Sequence, residues 1–241
     1  MTQTLAAAPE DWQRGLAVVA HPDDLEYCSV VPEWTSAGRV ISYLIVTRGE
    51  AGIGAIAPAD AVLIRAAEQR KSAELAGVDL VEYLSYPDGV IQPSLELRRD
   101  IASAIRRHRP DVVITLNHHQ NFRSGAWNSP DHRVVGCAVL DAVLDAGNRW
   151  IFPELAGEGL EPWGGVRYAF VASSPQAGHA VDITRTFDTA VACLAQHHAY
   201  LDSLGPGDPM SDPATLLRRK AERVGARYNG RLAVALEVIP Y

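Results

Sequence analysis

The residues best suited to chemistry in this 241-residue chain lie in one short segment, Ala20-His21-Pro22-Asp23-Asp24-Leu25-Glu26. His21 and Asp24 are three positions apart at a predicted helix start, a spacing that lets both side chains point to one locus. An imidazole and a carboxylate are a usual pair of zinc ligands, and a third ligand normally comes from elsewhere in the chain. The segment therefore predicts a metal site.

The best third ligand is His132, which ends the segment Ser129-Pro-Asp-His132. Three protein ligands leave a fourth position for water, which is the catalytic pattern, whereas structural zinc is closed by four. Zinc is the expected cofactor, and iron(II) is the alternative because it also accepts two histidines and one aspartate.

Asp23 lies beside the predicted ligands and need not bind the metal itself. Its carboxylate can take a proton from the attacking water, the general-base role that such hydrolysis requires. Acidic residues after a proline in a first helical turn also favour the helix dipole and cap free N–H groups. His21 before the pair, Glu26 after it and the later Asp-His favour the catalytic interpretation.

These residues must be positioned by a scaffold, and short apolar runs alternating with helical patterns are typical of βαβ units. The apolar run Leu16–Ala20 predicts a strand that stops at His21-Pro22, because proline cannot donate to a ladder and restricts its predecessor. In open parallel sheets the functional crevice lies outside the carboxyl ends of the strands. The metal-binding segment is therefore where a site is expected.

The remaining pattern predicts an α/β fold, with a Rossmann-like, doubly wound, mainly parallel sheet and helices on both faces. We expect one domain over 1–241, with a core at about 14–146 and a C-terminal part at about 147–241 that completes the pocket. Further strands are predicted at 40–47, 80–86, 111–117, 168–172, 180–183 and 232–239. Helices are predicted at 22–38, 59–76, 94–108, 131–146, 184–204 and 214–228.

Composition restricts the class of partner. The net charge is −7 and the chain has no Lys/Arg-rich block, which excludes a nucleic-acid-binding face and favours a small-molecule substrate.

The cysteines and the N-terminal segment indicate the compartment. Cys28, Cys137 and Cys193 form no CxxC pair and no disulfide framework, which is typical of proteins of the reducing cytosol. The N-terminal residues lack a signal-peptide pattern, and no apolar run approaches the ~18 residues of a membrane span. We expect a cytoplasmic protein, and a homo-oligomer is compatible with the sequence.

The two motifs, His21-Pro-Asp-Asp-Leu-Glu26 and Pro130-Asp-His132-Arg, resemble the LmbE/PIG-L family of zinc-dependent de-N-acetylases. Members of that family remove acetyl groups from N-acetylglucosamine-type sugars in conjugates. The first motif is specific and the rest are supporting. The segments that also fit are Thr47-Arg-Gly-Glu50-Ala-Gly52, Arg65-Ala-Ala-Glu68, Tyr86-Pro-Asp88-Gly89, Arg109-Pro-Asp-Val-Val, and Asp182-Ile-Thr followed by Gln196-His197.

The resemblance implies roles for individual residues. It gives His21, Asp24 and His132 as metal ligands, Asp23 as base, and Glu50, Arg65 and Asp88 as residues near the substrate. Ordinary structural roles compete with the last three: Arg65 suits a helix-surface pair with Glu68, and Asp88 suits a turn. His197 is interpreted either as a pocket residue or as a solvated helix residue.

One position departs from the family pattern. Relatives often have histidine where this chain has Ser129, and that histidine is thought to polarise the amide carbonyl or protonate the leaving amine. Serine cannot carry a proton as imidazolium does. We expect His118 or His119, which follow a predicted strand, to supply this group, and otherwise Asp23 itself must return the proton. Loop residues without a role are the alternative for both histidines.

The resemblance implies a hydrolase that removes an acetyl group from a small N-acetylglucosamine-type conjugate. An amidase of a thiol or sugar conjugate would use the same metal chemistry. A catalytically impaired sugar-binding protein is a rival from another class, although a pure binder has no need of Asp23. A nicotinamide dehydrogenase is disfavoured, because the turn after the first strand is not GxGxxG.

Overall fold

A computed structural model describes residues 4–205 and 207–241, and the N-terminal residues 1–3 lie outside it. Its strands are β1 (Ala6–Ala7), β2 (Arg14–Val19), β3 (Val40–Ile45), β4 (Leu80–Tyr83), β5 (Val112–Leu116), β6 (Tyr168–Ala172), β7 (His179–Asp182) and β8 (Ala233–Pro240). They form one sheet in the order β1-β7-β8-β6-β5-β2-β3-β4. Only β8 is antiparallel to its neighbours, so the expected mainly parallel α/β fold is confirmed.

The helices connect these strands and cover both faces of the sheet. They are α1 (Val31–Ser36), α2 (Pro58–Leu75), α3 (Leu95–His108), α4 (Pro130–Gly147), α5 (Glu154–Gly157), α6 (Phe187–Leu194), α7 (His198–Ser203) and α8 (Pro213–Gly225). Two 3₁₀ turns occur at Glu26–Cys28 and Pro209–Ser211. Among the described residues, no helix combines the length and apolar character that crossing a bilayer requires.

The central strand β2 is apolar on both faces, as expected for a parallel strand covered by helices on each side. Because successive side chains alternate, Leu16 and Val18 pack into one core with Ile101 of α3. Ala17 and Val19 pack into the opposite core, which includes Trp34. This double burial fixes the register of β2, and with it the position of the segment that follows.

The predicted helix 22–38 is wrong. Asp23 and Ser29 have left-handed backbone conformations, with φ of 81° and 62°, and only a 3₁₀ turn and the short α1 form in this stretch. L-residues in that conformation interrupt a right-handed helix. The chain therefore folds back here and turns the carboxylates of the first motif inward.

The predicted helix 184–204 is also wrong as a single element, because α6 ends at Leu194 and α7 begins at His198. The backbone leaves helical conformation at His197, which has ψ of 50°. The break lets the backbone N–H of Ala199 donate to Glu68 Oε1 on α2 at 2.6 Å. The expected division at about residue 146 stays a prediction, although β6, β7 and β8 join the same sheet as β2.

Candidate functional site

A cavity of about 580 Å³, called here the main cavity, opens at the carboxyl ends of β2, β3 and β5. Of the residues singled out in the sequence, those in its wall are His21, Asp23, Asp24, Arg65, Asp88, Ser129 and His132. The two motifs therefore meet in space, although 108 residues separate Asp24 from His132. Their meeting follows from the pairing of β2 with β5, which places the loops after both strands side by side.

His21, Asp24 and His132 have the arrangement that the sequence predicted for metal ligands. One ligand atom from each lies within 4.8 Å of the others. The Asp24 carboxylate lies between the two rings, with Oδ2 3.5 Å from His21 Nδ1 and Oδ1 3.1 Å from His132 Nε2. Two imidazole nitrogens and a carboxylate facing one point are a usual donor set for zinc.

Two carboxylates contact the ring nitrogen of His21 that does not face Asp24. His21 Nε2 is 3.1 Å from Asp88 Oδ1 and 3.3 Å from Asp131 Oδ2. Asp131 is itself fixed, because it accepts the backbone N–H groups of Gly89 at 2.7 Å and Ile91 at 3.1 Å. A carboxylate on one imidazole nitrogen fixes the tautomer and leaves the other nitrogen for a metal. His21 is therefore oriented with Nδ1 toward Asp24.

The side-chain amide of Asn128 orients the His132 ring. Asn128 Oδ1 lies 3.3 Å from His132 Nδ1, which leaves His132 Nε2 to face Asp24. The Asn128 side chain is held in place because its Nδ2 donates to the carbonyl oxygens of Asn117 at 2.6 Å and His119 at 3.0 Å. Both candidate histidine ligands thus have a fixed orientation.

The electrostatics of the site favour a cation. Burial lowers the pKa of His21, but Asp24, Asp131 and Asp88 outweigh it and raise that pKa well above its ordinary value. Burial raises the pKa of Asp24, whereas the two histidines bring it far below its usual range. The carboxylates of Asp23, Asp24 and Asp131 are all buried, and those of Asp24 and Asp131 both contact the His21 ring. A divalent cation would offset their mutual repulsion, so the residues present fit a bound metal.

Asp23 differs from its neighbour in having few partners. Its backbone N–H donates to Gln69 Oε1 at 2.9 Å, and its Oδ1 is 3.4 Å from Arg65 Nη2. Its Oδ2 is buried and has no hydrogen-bond partner among the described residues. Burial raises the pKa of Asp23 to about 7, with Arg65 opposing and Asp24 adding to the rise. A carboxylate oxygen is thus kept available beside the candidate ligands.

Arg65 lies on α2 and is buried in the cavity wall, so it does not form the alternative helix-surface pair with Glu68. Its Nη2 donates to the carbonyl oxygen of Pro22 at 2.8 Å, and its guanidinium lies 4.3 Å from the centre of the Tyr200 ring. Nε and Nη1 have no hydrogen-bond partner among the described residues. These buried donors make Arg65 a candidate substrate contact.

Glu50 is not among the residues that line the main cavity. Its Oε1 accepts the backbone N–H of Asp88 at 2.9 Å, and its Oε2 accepts that of Arg48 at 3.2 Å. Asp88 in turn accepts the N–H of Ala51 at 2.8 Å. Glu50 therefore ties two loops together and acts on the cavity through Asp88.

His118 and His119 also lie outside the lining of the main cavity. His119 Nε2 is 3.0 Å from Glu237 Oε2 on β8.

His197 is fully buried rather than solvated, with Nε2 4.0 Å from Glu26 Oε2. Burial lowers the pKa of His197 to about 3, with Arg65 adding to the effect.

Sequence reasoning missed several residues of the site. Asp131 lay within the second motif and could have been noticed from its position between Pro130 and His132. Asn128 precedes that motif, but nothing in its spacing marked it. Tyr200 and Lys220 line the cavity from α7 and α8, and only the folded chain brings these elements to it. A second cavity of about 350 Å³ adjoins the first and shares Lys220 in its wall.

The fold and the site together define a Rossmann-like α/β protein with a candidate His₂Asp metal centre at the carboxyl edge of its sheet. The chain belongs to the PIG-L family, because the family model described as GlcNAc-PI de-N-acetylase matches residues 16–143. That range contains both motifs.

Individual relatives agree with this assignment. The chain is 29% identical over 144 residues to a diacetylchitobiose deacetylase of Thermococcus kodakarensis, over 57% of this chain and 51% of the relative. The chain thus matches about half the length of that curated relative.

Solved structures show the same fold. N,N'-diacetylchitobiose deacetylase from Pyrococcus horikoshii has a TM-score of 0.85 at 23% identity, covering 95% of this chain and 85% of that one. GalB, a 4-carboxy-2-hydroxymuconate hydratase from Pseudomonas putida, has a TM-score of 0.72 at 18% identity, covering 94% of this chain and 96% of that one. The fold therefore carries more than one reaction, and function must be argued from the site.

Proposed function

We propose that this protein is a metal-dependent hydrolase that removes an acetyl group from the amide nitrogen of a small N-acetylglucosamine-type conjugate. The observation that carries the proposal is the convergence of His21, Asp24 and His132 in one cavity, beside Asp23 Oδ2, which has no hydrogen-bond partner within residues 4–205 and 207–241. The family match and the relatives named as deacetylases support the reaction.

The metal would be held by His21 Nδ1, an oxygen of Asp24 and His132 Nε2. Zinc suits this donor set best, and iron(II) is the alternative. When bound, the metal lowers the pKa of water and polarises the amide carbonyl. Asp88, Asp131 and Asn128 keep the two imidazoles in the orientation that binding requires.

Asp23 takes the proton of the attacking water and returns it to the departing amine. One oxygen faces Arg65 at 3.4 Å while the other has no partner in the described part of the chain, so the carboxylate is held in place and still accepts a proton. A single carboxylate can serve both steps, because the proton that it gains during attack is the proton that the leaving amine needs.

The expectation that His118 or His119 supplies this proton stays a prediction. Neither ring lines the main cavity, whereas Asp23 does, which is why we assign proton return to Asp23. If a histidine were the acid, His118→Ala or His119→Ala would lower kcat about 10²-fold or more with metal retained at His132, the cost of losing a group that stabilises the transition state. Ser129→Ala should cost much less.

The substrate is expected to be a polar sugar conjugate. Arg65 and Asp88 offer hydrogen-bonding groups in the cavity wall, and Tyr200 provides a ring against which a sugar can pack. The adjoining cavity gives space for the remainder of the conjugate beyond Lys220.

Mass spectrometry of acetate released from a panel of N-acetylglucosaminyl conjugates tests the proposal. We expect acetate and free amine in equal amounts from at least one small conjugate, with the rate lowered about 10²–10⁴-fold in the Asp23→Asn variant. An amidase of the same chemistry would release a larger acyl group. Metal and sugar binding without any release would identify a sugar-binding protein.

A further inference from the structure

A second cluster of ligand-type side chains consists of His118, His119 and Glu237. One ring nitrogen of each histidine and one carboxylate oxygen of Glu237 lie within 4.8 Å of one another. Within this cluster, His119 Nε2 is 3.0 Å from Glu237 Oε2. None of the three lines the main cavity, so the cluster is separate from the site of the proposed hydrolysis.

The His118 ring lies against the His119 ring and offers a nitrogen for a metal. Their centroids are 4.0 Å apart with an interplanar angle of 36°, and two imidazolium ions so close would repel each other. Burial and the neighbouring His119 both lower the pKa of His118, and neutral imidazole is the form that binds metals. His118 Nδ1 is buried and has no hydrogen-bond partner among the described residues.

Neighbouring groups hold the three side chains in place. Ser174 Oγ donates to Glu237 Oε2 at 2.5 Å, and the backbone N–H of His119 donates to Asn117 Oδ1 at 3.0 Å. His118 packs against Gly136 of α4, where an added Cβ would lie 2.8 Å from His118 Cβ. Such outer contacts orient metal ligands in known sites.

We propose that His118, His119 and Glu237 bind a second divalent transition metal, and that zinc is the ion their chemistry favours. Two imidazoles and one carboxylate form a usual zinc set, and bonds of about 2.0–2.1 Å place tetrahedral ligands about 3.3 Å apart. The separation of 3.0 Å between His119 Nε2 and Glu237 Oε2 is already close to that value.

The second ion would fasten the loop after β5 to β8. Its effect would extend to the main site, because the carbonyl oxygen of His119 accepts from Asn128 Nδ2 at 3.0 Å. Asn128 in turn contacts His132 Nδ1 at 3.3 Å. The proposed role is structural: the ion keeps the segment that carries Asn128 in position.

Metal stoichiometry tests the proposal. Untagged protein is stripped with a chelator, incubated with zinc, desalted and measured by elemental analysis. We expect about two equivalents per chain in the wild type and about one in His119→Ala, in Glu237→Gln and in His132→Ala. The matched control is His108→Ala, because His108 Nε2 also contacts a glutamate, Glu82, at 2.6 Å, but no third ligand group among the described residues joins that pair. This variant should keep two equivalents.

Thermal unfolding gives a readout independent of activity. In the His132→Ala background, added zinc should raise Tm, because an ion that binds only the folded state stabilises it, and a further His119→Ala change should abolish the rise. The proposal is overturned if the wild type binds one equivalent, or if two equivalents persist in both His119→Ala and Glu237→Gln. The equivalent lost in His132→Ala reports on the proposed hydrolase separately.

Discussion

Asp23 and Asp24 are adjacent carboxylates with different surroundings, and the proposed mechanism gives them different roles. Asp24 lies between two histidines, whereas Asp23 faces Arg65 and has one oxygen without a partner among the residues that the structure describes. The order of residues alone does not separate ligand from base. Asp23 has a left-handed backbone, with φ of 81°, so the two residues do not follow one another in a regular helix.

Substitution at each position should separate these roles. Asp23→Asn should retain the metal and lower kcat about 10²–10⁴-fold, because general-base assistance is lost. Asp24→Ala should instead lose metal affinity. Elemental analysis and acetate release measured on the same preparations check both. Equal metal loss in the two variants would leave Asp23 without a separate role.

Asn128 should matter for metal affinity although it is not a ligand. Asn128→Ala removes the acceptor at His132 Nδ1 and should weaken zinc binding about 10–100-fold, as loss of outer contacts to a ligand usually does. Ser129→Ala is the control, since the Ser129 side chain makes no capping hydrogen bond to α4. Competition with a chromophoric chelator measures the affinities, and equal values for both variants would contradict the role of Asn128.

Among the loops that connect the elements, the one between β3 and α2 packs against the Arg65 side chain at Gly49. Gly49 has φ of 67°, and a Cβ there would lie 2.9 Å from Arg65 Nε and 3.0 Å from Pro22 Cδ. Gly54, in the same loop, would place its Cβ in open space. Only the first glycine is required by conformation and by close packing.

Gly49→Ala should lower the free energy of unfolding by more than about 1 kcal/mol, because alanine is strained at positive φ and crowds Arg65. Gly54→Ala should change it by no more than about 0.5 kcal/mol. Urea denaturation of both variants checks this pair. Equal midpoints would show that the loop tolerates a side chain at Gly49.

The sequence predicted some elements closely. Tyr168–Ala172 is a strand with the expected bounds. The helix expected at 94–108 is α3, which begins at Leu95 and is capped by Ser94, whose side chain accepts the N–H of Leu97. The helices expected at 22–38 and 184–204 are interrupted, because tertiary contacts rather than helical periodicity determine the backbone conformation there. In the second stretch, the burial of His197 and the bond from Ala199 to Glu68 outweigh helical periodicity.

At the scale of the whole molecule, the buried His197 should make stability depend on pH. Its pKa is lowered to about 3, below the value of about 6.5 for an unfolded histidine, so the unfolded chain binds more protons between these values. Its contribution to stability is therefore present above about pH 6.5 and is lost as the pH falls toward 3. Among the described residues, Glu26, Arg65 and His198 are the ionisable neighbours that act on it.

His197→Gln should flatten this dependence. Between about pH 6.5 and 4, the wild type should lose up to about 1.4 kcal/mol of unfolding free energy per pH unit more than the variant. Urea denaturation with chelator present in both samples checks this, since metal-linked protons are then absent. Parallel curves for the two proteins would contradict the account of His197.

The candidate metal ligands could be brought together from the sequence because both motifs follow strands that the fold pairs, β2 and β5. The rest of the wall could not, because Tyr200 and Lys220 reach the cavity from elements whose packing has no local signature. Glu50 was placed near the substrate by resemblance, whereas its contacts are to backbone groups of Arg48 and Asp88. The motifs therefore predict the reacting groups, whereas the packing of distant elements determines which other residues line the cavity.

The most direct test of the central claim is acetate release by chelator-treated enzyme before and after zinc is restored. If hydrolysis depends on the metal, chelation will abolish release from an N-acetylglucosaminyl conjugate, and zinc will restore it in the wild type but not in Asp24→Ala. Elemental analysis of each sample accompanies the assay. Undiminished acetate release from protein that holds less than about one-tenth of an equivalent of any divalent metal would contradict a metal-dependent mechanism.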